Sequence, residues 1–234
     1  MGPKMKFEDL TPARKTSRTR AARILIVDDH PIVREGLAAV LSHKPGLEVC
    51  GEAASIVEAL ALIDSQHPDL AIIDLSLSDG SGLDLIKRIK ARDVPTKMLV
   101  LSMSDESLFA ERALRAGAMG FLHKQEARGK LLNAIHQILD GKIFVSEAIN
   151  NRLLQQVMIG NQPLQQSPIT ALSDRELEVF ELLGQGLGSS EIAQRLHLGI
   201  KTIETHRQRI KGKLDLKNSL ELVRHATQWV LENR

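Results

Sequence analysis

The stretch Ile24-Leu25-Ile26-Val27-Asp28-Asp29 is an aliphatic run that ends at two carboxylates. The run is β-branched and aliphatic and too short for a helix, so it predicts a buried parallel strand. Other apolar runs also end at a polar residue: Leu70–Ile73 before Asp74, Met98–Leu101 before Ser102, and Gly120–His123 before Lys124. Segments of helical periodicity separate these runs. The series therefore predicts an open, doubly wound, five-stranded parallel sheet of the flavodoxin-like kind.

The polar residues at the ends of these runs predict a magnesium and phosphoryl site. The carboxyl ends of parallel strands converge on one crevice, where ligands bind. We expect the crevice to hold Asp28, Asp29, Asp74, Ser102 and Lys124. Phosphoryl transfer to a carboxylate needs a nucleophile, a hard cation and donors for the phosphoryl oxygens.

Each residue of this set has an expected role. Asp74 ends the most central run and is the predicted nucleophile, while Asp28 and Asp29 join it in binding Mg²⁺. Lys124 supplies a cation to the acyl phosphate, and Ser102 a hydroxyl donor. Taken singly, each has a plainer explanation: an Asp can cap a helix (Asp29 before Pro31), a Ser can close a turn, and a Lys is usually solvated. The joint pattern favours function.

The chain divides into two predicted domains. Residues 23–142 alternate strand and helix, 143–168 form a linker helix and a flexible linker, and 169–234 are helical only, whereas 1–22 form a disordered basic segment. The predicted strands are 23–28, 47–53, 70–74, 97–102 and 119–123. The predicted helices are 31–43, 55–66, 82–91, 105–116, 126–140, 146–160, 173–184, 189–196, 200–214 and 217–232. Pro31, Gly46, Gly141, the cap Asp105 and the capping box from Ser173 to Glu176 support these bounds.

Residues 189–214 have the pattern of a helix-turn-helix that binds double-stranded DNA. Ile203, Ile210 and Leu214 form one stripe of the second helix and are expected to face the core. The predicted DNA-contacting residues are Lys201, Thr202, Glu204, Thr205, Gln208, Arg209 and Lys211. Of these, Lys201, Arg209 and Lys211 are expected at phosphates, and Glu204, Thr205 and Gln208 at bases. A solvated helix face is the plainer alternative.

Composition narrows the class of protein. The chain has 234 residues, a net charge of +2 and a single cysteine, Cys50, which we interpret as a buried strand residue and not a nucleophile. No apolar stretch reaches the ~20 residues of a membrane span, and the N-terminus has no signal-peptide core. These features indicate a cytoplasmic protein with no membrane partner.

Residues 22–142 resemble the receiver domain of two-component response regulators, through Ile26–Pro31, Ile73-Asp74-Leu75, Leu101-Ser102 and Phe121–Lys124. The resemblance implies that a sensor histidine kinase phosphorylates Asp74, with Mg²⁺ held by Asp28, Asp29, Asp74 and the backbone carbonyl of Ser76. It also implies that Ser102 and Phe121 are switch residues. Ser78 departs from the family, which usually has Pro there.

The stretch from Leu172 to Trp229 is similar to the LuxR-type helix-turn-helix, through Leu172–Val179, Gly186-Leu187, Glu191–Ala193 and Lys201–His206. Gly199 replaces the usual Ser cap, and Glu204 a basic residue. The last helix is expected to expose Leu220, Val223, Thr227 and Val230 beside Trp229. That strip either closes the domain core or, as the resemblance implies, pairs two protomers on DNA.

Together these patterns predict a NarL/FixJ-type response regulator, a transcriptional regulator that forms a homodimer when phosphorylated. It is expected to be no enzyme beyond slow self-dephosphorylation. Two alternatives stay open. A magnesium-dependent phosphohydrolase normally has a general-acid Asp two residues after the nucleophile, where this chain has Ser76. A degenerate, phosphate-independent receiver would not need every site position filled.

Overall fold

The run that precedes Asp74 forms the centre of the sheet. The computed structural model describes residues 20–104, 106–158 and 168–232. The five strands of the sheet are β1 (Ala22–Val27), β2 (Leu47–Ala53), β3 (Leu70–Ile73), β6 (Lys97–Ser102) and β7 (Gly120–His123). All are parallel and lie in the order β2-β1-β3-β6-β7, and every residue of β3 is buried. The predicted five-stranded, doubly wound sheet is therefore confirmed.

Helices follow the strands almost where the sequence predicts them. They are α1 (Pro31–Ser42), α2 (Ile56–Gln66), α3 (Gly82–Ala91), α4 (Glu106–Ala116), α5 (Ala127–Leu139), α6 (Glu147–Met158), α7 (Asp174–Gly184), α8 (Ser189–Arg195), α9 (Ile200–Lys213) and α10 (Ser219–Glu232). The sequence did not predict the two-stranded antiparallel hairpin of β4 (Ser76–Leu77) and β5 (Gly80–Ser81), or the 3-10 turns Lys124–Glu126 and Pro168–Ala171.

Most predicted start and stop signals are confirmed. Pro31 is the first residue of α1, and Gly46 and Gly141 have positive φ beyond helix ends. Ser173 caps α7 in a full capping box with Glu176. The suggestion that Asp29 caps α1 is wrong, because His30 is the N-cap and makes no side-chain cap bond.

Several predicted segments lie partly or wholly outside the residues that the structure describes. Asp105 lies outside them, as do 1–19 of the predicted basic segment and 159–167 of the predicted linker. Ala22, which was assigned to the basic segment, already belongs to β1. α10 begins at Ser219, two residues later than predicted, where the Asn218 side chain accepts a hydrogen bond from the Glu221 N–H at 2.9 Å.

Apolar side chains pack on both faces of the sheet. One cluster joins α1 and α5 to the strands, and the other joins α2, α3 and α4 to them. Cys50 in β2 is half-buried, less than predicted, and burial raises the pKa of its thiol, which donates to the Ile24 carbonyl at 3.4 Å. Among the described residues, no helix combines the length and apolar character that crossing a membrane requires.

The C-terminal helices pack around α7, and their buried residues belong to the same apolar cluster as those of α2, α3 and α4. Phe180 of α7 lies against Trp229 of α10, with ring centroids 6.2 Å apart. Gly184 allows the two helices to approach, because a Cβ there would lie 2.5 Å from Val230 Cγ2. Val230 is buried, Val223 and Trp229 pack against the core, and only Leu220 of the predicted strip is exposed. Most of the strip therefore closes the domain core, which is the first of the two alternatives. The exposed face of α10 instead carries Leu220, Arg224, Gln228 and Leu231.

Candidate functional site

The sheet brings the predicted carboxylates together at one edge. Asp28 follows β1 and Asp74 follows β3, and these strands pair with Val27 opposite Ile73. The Asp74 N–H donates to the Val27 carbonyl at 2.8 Å, which fixes the two residues side by side. Asp28 is 2% exposed and Asp74 4% exposed. Burial of two neighbouring carboxylates is costly without a cation, so the pocket requires positive charge.

Lys124 supplies part of that charge. It follows β7, and its Nζ lies 2.7 Å from Asp74 Oδ2 and 2.6 Å from Asp28 Oδ2. Burial lowers the pKa of Lys124, but the carboxylates of Asp74 and Asp28 outweigh burial, and the net effect is a raised pKa. Lys124 is thus held charged against both carboxylates.

The electrostatics of Asp74 reflect its burial. Burial raises its pKa and the neighbouring charge of Asp28 raises it further, whereas Lys124 and a hydrogen bond from Ser102 act in the opposite direction. The net result is a raised pKa in the described arrangement. A dication among these carboxylates would favour their charged forms.

The acidic residues fit a metal ion. Ligand atoms of Asp28, Asp29, His30 and Asp74 lie within 4.8 Å of one another. Both carboxylate oxygens of Asp29 are buried and have no partner in hydrogen-bond geometry among the described residues. One lies 2.7 Å from His30 Nδ1 and the other 3.0 Å from His197 Nε2, within ion-pair distance only. Buried oxygens in this condition are suited to a hard cation with oxygen ligands.

Ser102 and Phe121 lie near this pocket as neighbours in the sheet. Ser102 ends β6, is 1% exposed, and accepts a hydrogen bond from the Ser104 N–H at 3.2 Å. Phe121 in β7 is also 1% exposed, with its ring in the core. Their predicted switching role stays a prediction.

The path of the chain after Asp74 depends on Gly82, a residue that the sequence pattern does not single out. Ser76 begins β4, and the Ser78 hydroxyl donates to the Ala54 carbonyl at 3.2 Å. At Gly82, an added Cβ would lie 2.1 Å from the Asp74 backbone oxygen. A glycine at that position is needed for the chain to return so close to Asp74. The only available signal was its place at the start of a predicted helix.

The predicted DNA-contacting residues share one exposed face of α9. Ile203 and Ile210 are fully buried and Leu214 is partly buried, as expected. Six predicted contact residues are exposed, while Lys211 is half-buried: Lys201, Thr202, Glu204, Thr205, Gln208 and Arg209. This face is available for DNA.

Two side chains of the helix-turn-helix have partners within their own domain. Glu204 accepts a hydrogen bond from Ser189 at 2.5 Å and pairs with Arg207, which also donates to Ser189. Lys213 Nζ lies 2.6 Å from Glu176 Oε2. The predicted base contact of Glu204 would have to replace these bonds.

The two domains contact each other at the phosphoryl site. A cavity of about 870 Å³ has Asp74, Ser102 and Lys124 on one side and Glu178 and Leu182 of α7 on the other. Sequence reasoning did not bring these residues together, because nothing local links positions about a hundred residues apart.

Comparison with known proteins supports both halves of the chain. The family model of the response regulator receiver domain matches residues 24–136, and that of bacterial regulatory proteins of the luxR family matches residues 170–226. The oxygen regulatory protein NreC of Staphylococcus epidermidis is 34% identical over 209 residues, which cover 87% of this chain and 96% of NreC.

Solved structures agree. RcsB from Salmonella enterica serovar Typhimurium, bound to promoter rprA in the presence of phosphomimetic BeF3-, is 27% identical with a TM-score of 0.58, covering 89% of this chain and 99% of RcsB. A structure of two RcsB dimers bound to two parallel DNAs is 28% identical with a TM-score of 0.54, covering 92% and 99%.

Proposed function

The chain belongs to the two-component response regulators with a LuxR-type DNA-binding domain, which are phosphorylation-dependent transcription regulators, and we propose that Asp74 is its phosphoacceptor. The observation that carries the proposal is the pair of contacts from Lys124 Nζ to Asp74 and Asp28 at the end of the central strand. The donor is the phosphohistidine of a sensor kinase. Its N–P bond breaks with the electron pair left on the imidazole, and an Asp74 oxygen bonds to phosphorus.

The other pocket residues assist this transfer. Asp28, Asp29, Asp74 and the Ser76 backbone carbonyl would hold Mg²⁺, which supplies charge neutralisation at the phosphoryl oxygens. Lys124 orients Asp74 and then pairs with the acyl phosphate. Ser102 donates its hydroxyl to a phosphoryl oxygen, and Phe121 reorients behind it. We propose that the chain has no enzymatic activity beyond slow self-dephosphorylation.

The second domain binds DNA and so produces the transcriptional response. The receiver domain comprises residues 23–142 and the DNA-binding domain residues 169–234, and residues 143–168 connect them. The exposed face of α9 enters the major groove, and two protomers read a two-fold symmetric operator. The RcsB dimers on DNA support such a homodimer by analogy. A regulator that is phosphorylated by a sensor kinase and binds promoter DNA would act in the cytoplasm.

Intact mass after incubation with Mg²⁺ and an acyl-phosphate donor tests the phosphoacceptor. Wild type should gain one phosphoryl group, Asp74→Asn none, and the exposed control Asp140→Asn one. Removing the metal with a chelator should stop the gain. Phosphate uptake by Asp74→Asn at the wild-type level would rule out the assignment.

A further inference from the structure

The DNA-binding domain is docked on the receiver through polar contacts around the start of α7. Lys87 Nζ of α3 lies 2.7 Å from Asp174 Oδ2, and Arg112 of α4 lies 3.0 Å from the other oxygen. The Ser81 hydroxyl donates to Glu178 Oε1 at 3.1 Å, and both residues are buried. These contacts hold α7 beside the loop that follows Asp74.

The burial of α7 shows how much surface the docking covers. Residues 176–184 of this helix are all buried, including Glu176, Glu178 and Glu181. A helix at the surface of an independent domain normally leaves its polar side in water. Here α9 and α10 pack on α7 from its own domain, while the receiver covers the side that carries Glu178.

A second contact reaches the metal pocket itself. His197, in the turn between α8 and α9, has a φ of 51° and places Nε2 3.0 Å from Asp29 Oδ2. Asp29 is one of the carboxylates expected to hold Mg²⁺. Its other oxygen lies 2.7 Å from His30 Nδ1, and neither oxygen has a partner in hydrogen-bond geometry among the described residues. The His197 imidazole therefore occupies the side of Asp29 that the DNA-binding domain covers.

The recognition face remains free in this docked arrangement. Lys201, Thr205, Gln208 and Arg209 of α9 are all exposed. Docking thus covers the phosphoryl site and leaves the DNA-contacting residues open. This is the reverse of a receiver that hides the recognition helix.

We propose that the DNA-binding domain acts as a lid on the phosphoacceptor pocket, with His197 holding Asp29 in place of Mg²⁺. The proposal rests on the proposed function of Asp74. Metal loading and docking then compete for Asp29, so each weakens the other by the same factor. The docked form takes up metal and phosphoryl group poorly, and the undocked form takes up both.

The competition between docking and metal binding can be measured as a change in the apparent affinity for Mg²⁺. The apparent affinity of a ligand falls by the fraction of molecules that can bind it. If about one molecule in ten is undocked, releasing the lid should raise the apparent affinity for Mg²⁺ about tenfold. The rate of phosphoryl uptake at low Mg²⁺ should rise by a similar factor.

Two variants of the full chain release the lid at different points. Lys87→Glu places a like charge against Asp174, and His197→Gly removes the imidazole without straining the left-handed backbone. The matched controls are Arg88→Glu, an exposed cation of α3 that forms no ion pair within the described residues, and His67→Gly, an exposed histidine with a φ of 45°.

Mg²⁺ binding by calorimetry, phosphoryl uptake by intact mass, and the radius of gyration by X-ray scattering are measured on all five proteins. We expect tighter Mg²⁺ binding and faster uptake in Lys87→Glu and His197→Gly only, and a radius that increases on adding Mg²⁺ to wild type. Equal Mg²⁺ affinities in all five, with phosphate still gained at Asp74, would overturn the lid and leave the proposed function intact. Absence of uptake in every protein would overturn both.

Discussion

Single residues decide the chemistry of this chain, and most of them were predictable. Asp28, Asp74, Ser102 and Lys124 stand at strand ends, and the sheet brings them into one pocket as expected. Parallel strands make this inference possible, because strand ends converge whatever the intervening sequence. A close approach of backbone to backbone leaves no such pattern, which is why Gly82 was missed.

Gly82→Ala should destabilise the receiver domain. Its Cβ would meet the Asp74 backbone oxygen at 2.1 Å, so the loop after Asp74 must shift. We expect a loss of at least about 2 kcal/mol in the free energy of unfolding, measured in urea, with slower phosphoryl uptake. Gly36→Ala in α1 is the matched control: its Cβ meets nothing within 4 Å, and a helical alanine should add up to about 1 kcal/mol. Equal stabilities of the two variants would contradict the close approach.

At the scale of elements, the spacing of apolar residues correctly predicts which face of a helix is buried where the helix packs regularly. The buried stripe of α9 follows the helical repeat, and its exposed side follows from that. In α10 the prediction that Val230 is exposed is wrong. Gly184 allows α7 and α10 to approach closely, and Val230 packs in the contact between them. Packing distance depends on the partner helix, which the sequence of α10 alone does not contain.

The face of α9 separates two kinds of DNA contact. Lys201→Ala should weaken binding to all sequences alike and lower the salt slope by about one, since it removes a phosphate contact. Gln208→Ala should change base preference, at about 1–3 kcal/mol for a lost bidentate pair. Selection from randomised operators at several salt concentrations measures both. Unchanged site preference in Gln208→Ala would mean that another face of the domain reads the bases.

At the scale of the whole molecule, the docking of the domains was beyond sequence reasoning. Lys87 and Arg112 are ordinary surface cations by sequence, and Asp174 is an ordinary first-turn acid. Only the fold brings them together, and their ion pairs lower the pKa of Asp174 although burial opposes that change. The sequence did show a connection between the domains, but not which surfaces meet.

Docking should weaken as pH rises through the titration of Glu178. Burial raises its pKa from 4.5 to about 6, while Arg175 and the Ser81 hydroxyl oppose the rise and Asp174 adds to it. The docked form therefore binds the proton more tightly than an undocked form with Glu178 in water. This contribution is fully present below pH 4.5 and is lost above about 6. It amounts to about 2 kcal/mol.

Comparison with Glu178→Gln isolates this effect, because the two proteins differ only at position 178. The variant should stay docked at pH 7 more than wild type does, and the two should converge near pH 4.5. X-ray scattering across this range measures the docked fraction. A wild type that stays docked at pH 7 more than the variant does would show that the carboxylate, and not the acid, is the favoured docked form.

The contact between Phe180 and Trp229 gives the molecule an intrinsic optical reporter. Trp229 is the only tryptophan of the chain and packs on α7, whose other side rests on the receiver. A shift of α7 relative to α10 changes the surroundings of that single indole. Its fluorescence emission can therefore report whether release of α7 from the receiver also alters its packing on α10, in the unlabelled protein and at the low concentrations where scattering loses signal.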